Sequence, residues 1–307
     1  MLLTAAILLF TLIIVPYVSF YYGTGLTALQ WELLQESSYI LLVLASTCFV
    51  LGELTKNYSQ VDKVWSLAPL AYTWYIAIEG GSDPRMVLMA ILVSIWGIRL
   101  TLNFARRGGY SWKFWTGEED YRWSILQQKP GFEKPWVWSL FNLFFICGYQ
   151  MVLIYLFTIP ILTGLNEAAP KGLIWADYVL AAAFVIFVII ETLADQQQWD
   201  FQKEKYRRIN AKEDLGAYQH GFVRTGLWGI VRHPNYMAEQ SVWIVFYLFS
   251  VIATGQWLNW SIAGCLLLLI LFKSSSDFSE SITAEKYPEY KNYQATVPRF
   301  WPLIGRK

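Results

Sequence analysis

The chain has 307 residues, 55% of them hydrophobic types and only 15% charged, against roughly 25% charged in soluble proteins, which excludes an ordinary soluble enzyme. With 24 Lys and Arg against 23 Asp and Glu, the net charge of +1 offers no global basic field to nucleic acid. The three cysteines each sit in a different apolar run, and only two histidines are present, which argues against a disulfide framework or a protein-bound metal centre.

The mean hydropathy of +0.34 is carried by separated apolar runs, the pattern of a multi-span helical membrane protein. In chain order the expected spans are Leu2–Tyr22, Tyr39–Leu54, Val64–Ile78, Met86–Phe104, Trp136–Thr163, Leu173–Ala194, Asn235–Thr254 and Trp257–Phe272. The first run has no Lys or Arg before it and no small-residue cleavage site after it, so it reads as an uncleaved helix. The second, third and last are short, which leaves room for tilted or re-entrant segments. Sorting the cations tests the count. Alternate loops from Thr55, Ala105 and Asp195, with the tail from Lys273, hold two, six, seven and six Lys or Arg, which is 21 of the 24. By the positive-inside rule these segments share the cytosolic side.

The expected fold is therefore all-α, a polytopic transmembrane helix bundle of about seven or eight spans with both termini cytosolic. Residues 1–35 form an N-terminal transmembrane helix and loop, and residues 36–307 the main transmembrane domain, with a cytosolic tail over 273–307. The expected setting is the endoplasmic reticulum in a eukaryote or the cytoplasmic membrane in a bacterium. The string from Gly23 to Ala28 superficially matches a dinucleotide fingerprint but follows a membrane helix rather than a strand, so no Rossmann fold is expected.

Ionisable groups within apolar runs are costly and point to function or to a buried partner. Glu53, Arg99, Glu191 and Glu239 are such groups, all toward the cytosolic ends of their runs. Arg99, Asn103, Arg106 and Arg107 follow one another at steps of four, three and one, a guanidinium row suited to phosphate. Glu191 and Asp195 stand four apart, a spacing at which two carboxylates repel unless something lies between them or one is protonated. In the run from Gly226 to Glu239, Pro234 fits the first position of a helix, so Arg232, His233 and the helix N-terminus are expected to point at one anion site. Asn235, Tyr236 and Glu239 then carry a polar stripe below it. Tyr287, Tyr290 and Tyr293 in the tail recur every third residue, as in a membrane-surface helix or a lid.

The segment from Gly226 to Glu239, with Arg232-His233-Pro234-Asn235-Tyr236 at its centre, resembles the C-terminal signature of the steroid 5α-reductase-like integral membrane superfamily, which also holds the sterol C14/Δ7 reductases and the isoprenylcysteine carboxyl methyltransferases. Tyr287-Pro288-Glu289-Tyr290 and Val297-Pro298-Arg299-Phe300 are similar to the tail of those families. Val61-Asp62-Lys63-Val64-Trp65, Trp96-Gly97-Ile98-Arg99-Leu100 and Glu119-Asp120-Tyr121-Arg122-Trp123 resemble a largely uncharacterised branch.

The resemblance implies NADPH bound from the cytosolic side beside a lipid-accessible cavity. It assigns the cofactor to Arg99, Asn103, Arg106, Arg107, Glu191, Asp195, Asn235, Tyr236 and Glu239, and the anion site expected at Arg232 and His233 and the tail tyrosine Tyr290 are counted with them. Two departures stand out: the ketone-polarising tyrosine of steroid reductases falls on Trp96, and Gly52 replaces the glutamine before Glu53. The expected activity is hydride transfer from NADPH to a carbon–carbon double bond of a lipidic substrate. Glu53 is the candidate acid, with Tyr72 and Tyr75 as alternatives. The other readings are an S-adenosylmethionine-dependent methyltransferase of the isoprenylcysteine type and a non-catalytic lipid-binding protein. The expected partners are the lipid bilayer and a lipidic small molecule, with no nucleic acid, no metal and no required protein partner.

Overall fold

The computed structural model describes residues 25–113, 117–167 and 169–302, with isolated positions at Ile14, Tyr17 and Tyr21. The expected first span, Leu2–Tyr22, and the end of the tail lie outside the described residues apart from those three positions. Among the described residues the fold is all-helical, without strands. Six helices among the described residues are long and apolar enough to cross a membrane: Ala28–Thr55 (α1), Pro84–Arg106 (α4), Pro135–Leu165 (α6), Trp175–Ala211 (α7), Pro234–Thr254 (α9) and Trp260–Lys286 (α10). Shorter helices are Gln60–Val64 (α2), Ala68–Glu79 (α3), Tyr121–Gln127 (α5), Leu227–Ile230 (α8) and Tyr290–Thr296 (α11).

The chain divides into two compact units, one of Met1–Ala181 with Phe246–Leu267 and one of Ala182–Val245 with Leu268–Lys307. Helices α7, α9 and α10 contribute residues to both.

Within the first unit, α1 starts at a capping box in which the Thr27 hydroxyl accepts from Gln30 N and the Gln30 side chain accepts from Thr27 N. The α1 helix thus begins eleven residues before the run expected from Tyr39. Helices α3 and α4 pack closely because Gly97 has no Cβ: one built there would stand 2.7 Å from Ser66 O and 2.2 Å from a Leu70 methyl. Gly264 permits a second close approach, to the backbone of Leu156 and Phe157 in α6. Helix α6 is irregular, with a π segment over Asn142–Tyr149 and a 3-10 end over Ile159–Leu165. Phe141, Phe145 and Tyr149 stack along its face at successive steps of four.

Several buried polar groups in this unit are paired, as an apolar solvent requires. Arg85 gives Nε and Nη2 to the two carboxylate oxygens of Asp177 at 2.7 and 3.0 Å, and its Nη atoms also reach the carbonyls of Pro170 and Gly172. Asp177 in turn accepts from Ile174 N at the start of α7. Asn259 ties Ser250 and Ser261 together beneath the Tyr247 hydroxyl.

In the second unit, α7 continues as a charged surface helix well past Ala194, where its apolar run was expected to end. Glu204 bonds both Arg207 and Arg208, one turn on, which supports the helix beyond the apolar stretch. The tail returns to pack Tyr290 and Tyr293 around Phe222, with Ala284, Tyr287 and Val297 against them.

Candidate functional site

Three polar groups in the second unit contain most of the residues singled out by sequence. The first is a buried cluster of carboxyl side chains. Glu191, Asp195 and Glu239 are each 5% exposed, and Asn235 Nδ2 donates to Asp195 Oδ1 at 3.1 Å. Pro234 begins α9, so the amide of Asn235 stands in its first turn, and its Oδ1 also accepts from Tyr236 N. One turn further, Trp243 Nε1 donates to Glu239 Oε1 at 3.0 Å and fixes that carboxylate. Placing three carboxylates out of water is expensive unless donors or a ligand meet them.

The second group is a clamp centred on Glu280, which sequence reading did not single out. Glu280 is 2% exposed and accepts from Arg232 Nε at 2.7 Å and Nη2 at 3.2 Å, from Gln294 at 2.8 Å and from Arg299 Nη2 at 3.3 Å, while His233 Nε2 lies 2.8 Å from it. Arg232 Nη1 also bonds the carbonyls of Gln294 and Val297. Four of the five guanidinium N–H groups are thereby engaged. The backbone completes the clamp, with Arg232 N and His233 N donating to Pro298 O and Arg299 O. Arg232 and His233 were expected to face an anion beside the helix N-terminus; here they hold the tail through Glu280. The physical reason is charge matching, since the buried Glu280 carboxylate engages donors of Arg232, His233 and Arg299 in charge-assisted hydrogen bonds.

The third group is aromatic. Tyr290 lies in the Phe222 and Tyr293 cluster, and burial pushes both tyrosine hydroxyls well above their usual range. Tyr293 gives its hydroxyl to Trp228 O, and Trp228 Nε1 donates to Ala194 O, so the tail is tied to α8 and α8 to α7. Tyr236 stacks on His233 and packs against Phe272.

In the first unit, Arg99, Asn103, Arg106 and Arg107 form the expected row at the end of α4. Arg99 and Asn103 are half-buried and Arg106 and Arg107 are exposed, with Arg106 Nε donating to Asn103 Oδ1 at 2.8 Å. Glu53 is received by α6: Ser139 and Asn142 each donate to one of its oxygens at 2.9 Å, and Lys56 stands 3.6 Å away. Tyr75 donates to Glu36 at 2.6 Å. Tyr72 is fully buried against Tyr155, and its hydroxyl has no hydrogen-bond partner among the described residues.

The segment after α1 is fastened to the following loop. Glu119 accepts from Tyr58 N, while Asp120 N and Trp123 Nε1 both donate to Ser59 Oγ. Inside that fastening Asp62 is pushed up to about 6, first by burial and then by Asp120 and Glu119, against the lowering effect of Ser59 and Arg122. Burial also lowers the neighbouring Lys63 ammonium, which keeps a bond to Gln60.

Comparison with known proteins agrees with the extent of this arrangement. A family model described as a protein of unknown function, DUF1295, matches residues 48–297. An uncharacterized protein of Schizosaccharomyces pombe is 35% identical over 274 residues, covering 83% of this chain and 78% of that protein. No solved structure matches the chain. The matched region runs from within α1 to residue 297, just short of Pro298 and Arg299 of the clamp, and the chain belongs to the DUF1295 family, as a multi-pass helical membrane protein.

Proposed function

We propose that this protein is a membrane-embedded reductase that moves hydride from NADPH to a carbon–carbon double bond of a lipidic substrate, with its basic loops and both termini in the cytosol. The observation that carries the reading is the set of buried Glu191, Asp195 and Glu239 with the half-buried Asn235 in the second unit. These positions correspond, through the resemblance to steroid-reductase-like proteins, to groups that contact the nicotinamide nucleotide.

The donor set fits the polar parts of such a cofactor. Asp195 is held by Asn235 and can accept hydrogen bonds from ribose hydroxyls, while Glu239, oriented by Trp243, can accept from an amide. The resemblance assigns phosphate oxygens to Arg99, Asn103, Arg106 and Arg107, chemistry that a guanidinium row suits. Arg232 and His233 do not fit the phosphate role, because Glu280 and the tail hold them. When bound, NADPH supplies the hydride, and the protein excludes water and provides the proton at the other end of the bond. Glu53, held by Ser139 and Asn142, and the buried Tyr72 hydroxyl are the groups able to give that proton or polarise the bond.

One observation favours the second reading, S-adenosylmethionine-dependent methyl transfer. With Arg232 engaged by Glu280, the second unit presents carboxylates, which suit a cationic cofactor without phosphates. Thermal unfolding with NADPH, NADH or adenosylmethionine separates the two, since a ligand that binds only the folded state raises the melting temperature. NADPH is expected to stabilise the protein, and Asp195→Asn to weaken its binding about tenfold, a loss of about 1.4 kcal/mol. Stabilisation by adenosylmethionine alone, or an unchanged NADPH affinity in both Asp195→Asn and the paired Arg106→Ala, Arg107→Ala variant, would refute the reductase reading.

A further inference from the structure

Within the first unit, the chain that leaves α4 closes on itself before α5 begins. Gly108 N and Gly109 N donate to the carbonyls of Ala105 and Phe104 at 3.0 and 3.1 Å, and on the far side Glu118 N donates to Gly108 O at 3.2 Å. This neck requires glycine: a Cβ at Gly109 would stand 2.3 Å from the Phe104 ring, and one at Gly117, whose φ is +128°, would stand 2.6 Å from Gly109 O. Asn57 Nδ2 donates to Gly117 O at 3.2 Å and ties the neck to the segment after α1.

Tyr110 fixes the level of the loop that follows. Its ring lies edge-on to Phe104 with centroids 5.2 Å apart, and its hydroxyl donates to Lys63 O at 2.8 Å, beside the hydroxyls of Ser66 and Thr101. Thr101 belongs to α4, so Tyr110 folds back along the membrane-crossing helix rather than away from it. Trp112 stands two residues on, and its Cα is therefore no more than about 7 Å from that of Tyr110. That reach is comparable to the headgroup layer, roughly 5–8 Å deep on each side of the hydrocarbon.

Trp112 is the most exposed of the large hydrophobic side chains described, and it makes neither a hydrogen bond nor a ring contact among the described residues. Ser111 and Lys113 on either side of it are exposed as well. In the same loop Trp123 is buried and bonds Ser59, so packing accounts for that indole and leaves Trp112 without a structural role. An indole beside a cation suits a bilayer surface, where the ring is partly buried and the N–H stays wet. The loop from Ala105 carries six Lys or Arg, a charge that anionic headgroups complement.

We propose that Trp112 and Lys113 form a foot that enters the lipid headgroup layer at the C-terminal end of α4, the indole lying in the interface and the ammonium meeting lipid phosphate. The foot holds the neck, and through Asn57 the segment after α1, at the bilayer surface. It does not depend on the nicotinamide reading, because the carboxyl cluster of the second unit takes no part.

The test uses the full chain in nanodiscs that hold a single copy, so that protection cannot come from a second protein. Ser111→Cys carries a nitrobenzoxadiazole label, while the native cysteines are buried and stay unlabelled. Dithionite, which does not cross lipid, reduces the label and reads its exposure to water. A foot that leaves the interface about a tenth of the time should be reduced about tenfold more slowly than the label in Ser111→Cys with Trp112→Ser. About 30% phosphatidylserine should raise that protection about fivefold, an increment that Lys113→Gln removes. Trp112→Ser alone should leave the melting temperature in detergent within about 2 °C of the parent. Reduction rates that agree within about twofold with and without Trp112, in both lipids, show a tip that stays in water and overturn the proposal. A larger loss of melting temperature in Trp112→Ser overturns it too, because the indole would then pack against protein. Protection that phosphatidylserine leaves unchanged overturns the part given to Lys113.

Discussion

Glu280→Gln probes what holds the tail to the second unit. The carboxylate is 2% exposed and receives Arg232 twice, Gln294 and Arg299, with His233 at 2.8 Å. Glutamine keeps one acceptor oxygen but turns the other into a donor that faces donors. The Arg232 side chain is only 9% exposed, so its charge is then left without an anion in a poorly hydrated place. Removing one partner of a buried ion pair costs about 3–5 kcal/mol, which at roughly 2–4 °C per kcal/mol corresponds to a melting temperature lower by on the order of 10 °C. Thermal unfolding in detergent reads the total, and limited trypsin digestion at Lys291 and Arg299 reads the tail. A double cycle with Arg232→Ala separates the pair from the individual side chains. A Glu280→Gln protein that melts within about 1 °C of the parent, with unchanged cleavage at both sites, would refute the view that this carboxylate anchors the tail.

Two further outcomes follow from the first unit. Arg85→Lys cannot reproduce the fork to both oxygens of Asp177 or reach the Pro170 and Gly172 carbonyls, so it is expected to lower stability by about 2–4 kcal/mol, read by thermal unfolding, with Arg85→Ala worse. Asp62, raised to about 6 from 3.8, contributes stability that is present below about pH 4 and lost as pH rises through 6. Asp62→Asn is therefore expected to stabilise the protein above pH 6 by up to about 3 kcal/mol and to have little effect near pH 4. Unfolding curves at the two pH values decide it, and an Asn variant less stable than the parent at pH 7 would contradict the assigned cause.

The spans from Met86 to Thr254 were legible because apolar composition over some twenty residues is a strong, additive signal. Their ends were not, because helices also continue without apolar residues. Beyond Ala194, α7 is carried by pairs such as Gln196 with Asp200 and Glu204 with Arg208, which hydropathy does not register, although the aromatics mixed with Lys and Arg over residues 199–208 read as a helical extension of that span. The start of α1 was written in Thr27-Ala28-Leu29-Gln30, a capping box hidden inside a string that superficially looked like a nucleotide fingerprint.

The candidate site divides the same way. Local spacing brought out Asn235 with Glu239 and Asn103 with Arg106, because neighbours on a helix face are visible in one dimension. The partner of Arg232 was not visible, because Glu280 lies 48 residues away along the chain, in a charged stretch where nothing marks one carboxylate above another. Tyr72 was singled out as one candidate among several, but only packing shows that its hydroxyl differs from that of Tyr75.

The bond between Arg85 and Asp177 joins residues 92 apart, so it also sets an order in time. While the chain is being made, α4 is complete long before the carboxylate that neutralises Arg85 leaves the ribosome. At about 5–20 residues per second, the guanidinium waits roughly 5 to 18 s at the membrane surface for its partner. During that interval the same charge that will be buried serves as a marker at the head of α4, and only the arrival of α7 draws it out of water. The ion pair cannot form before α7 begins.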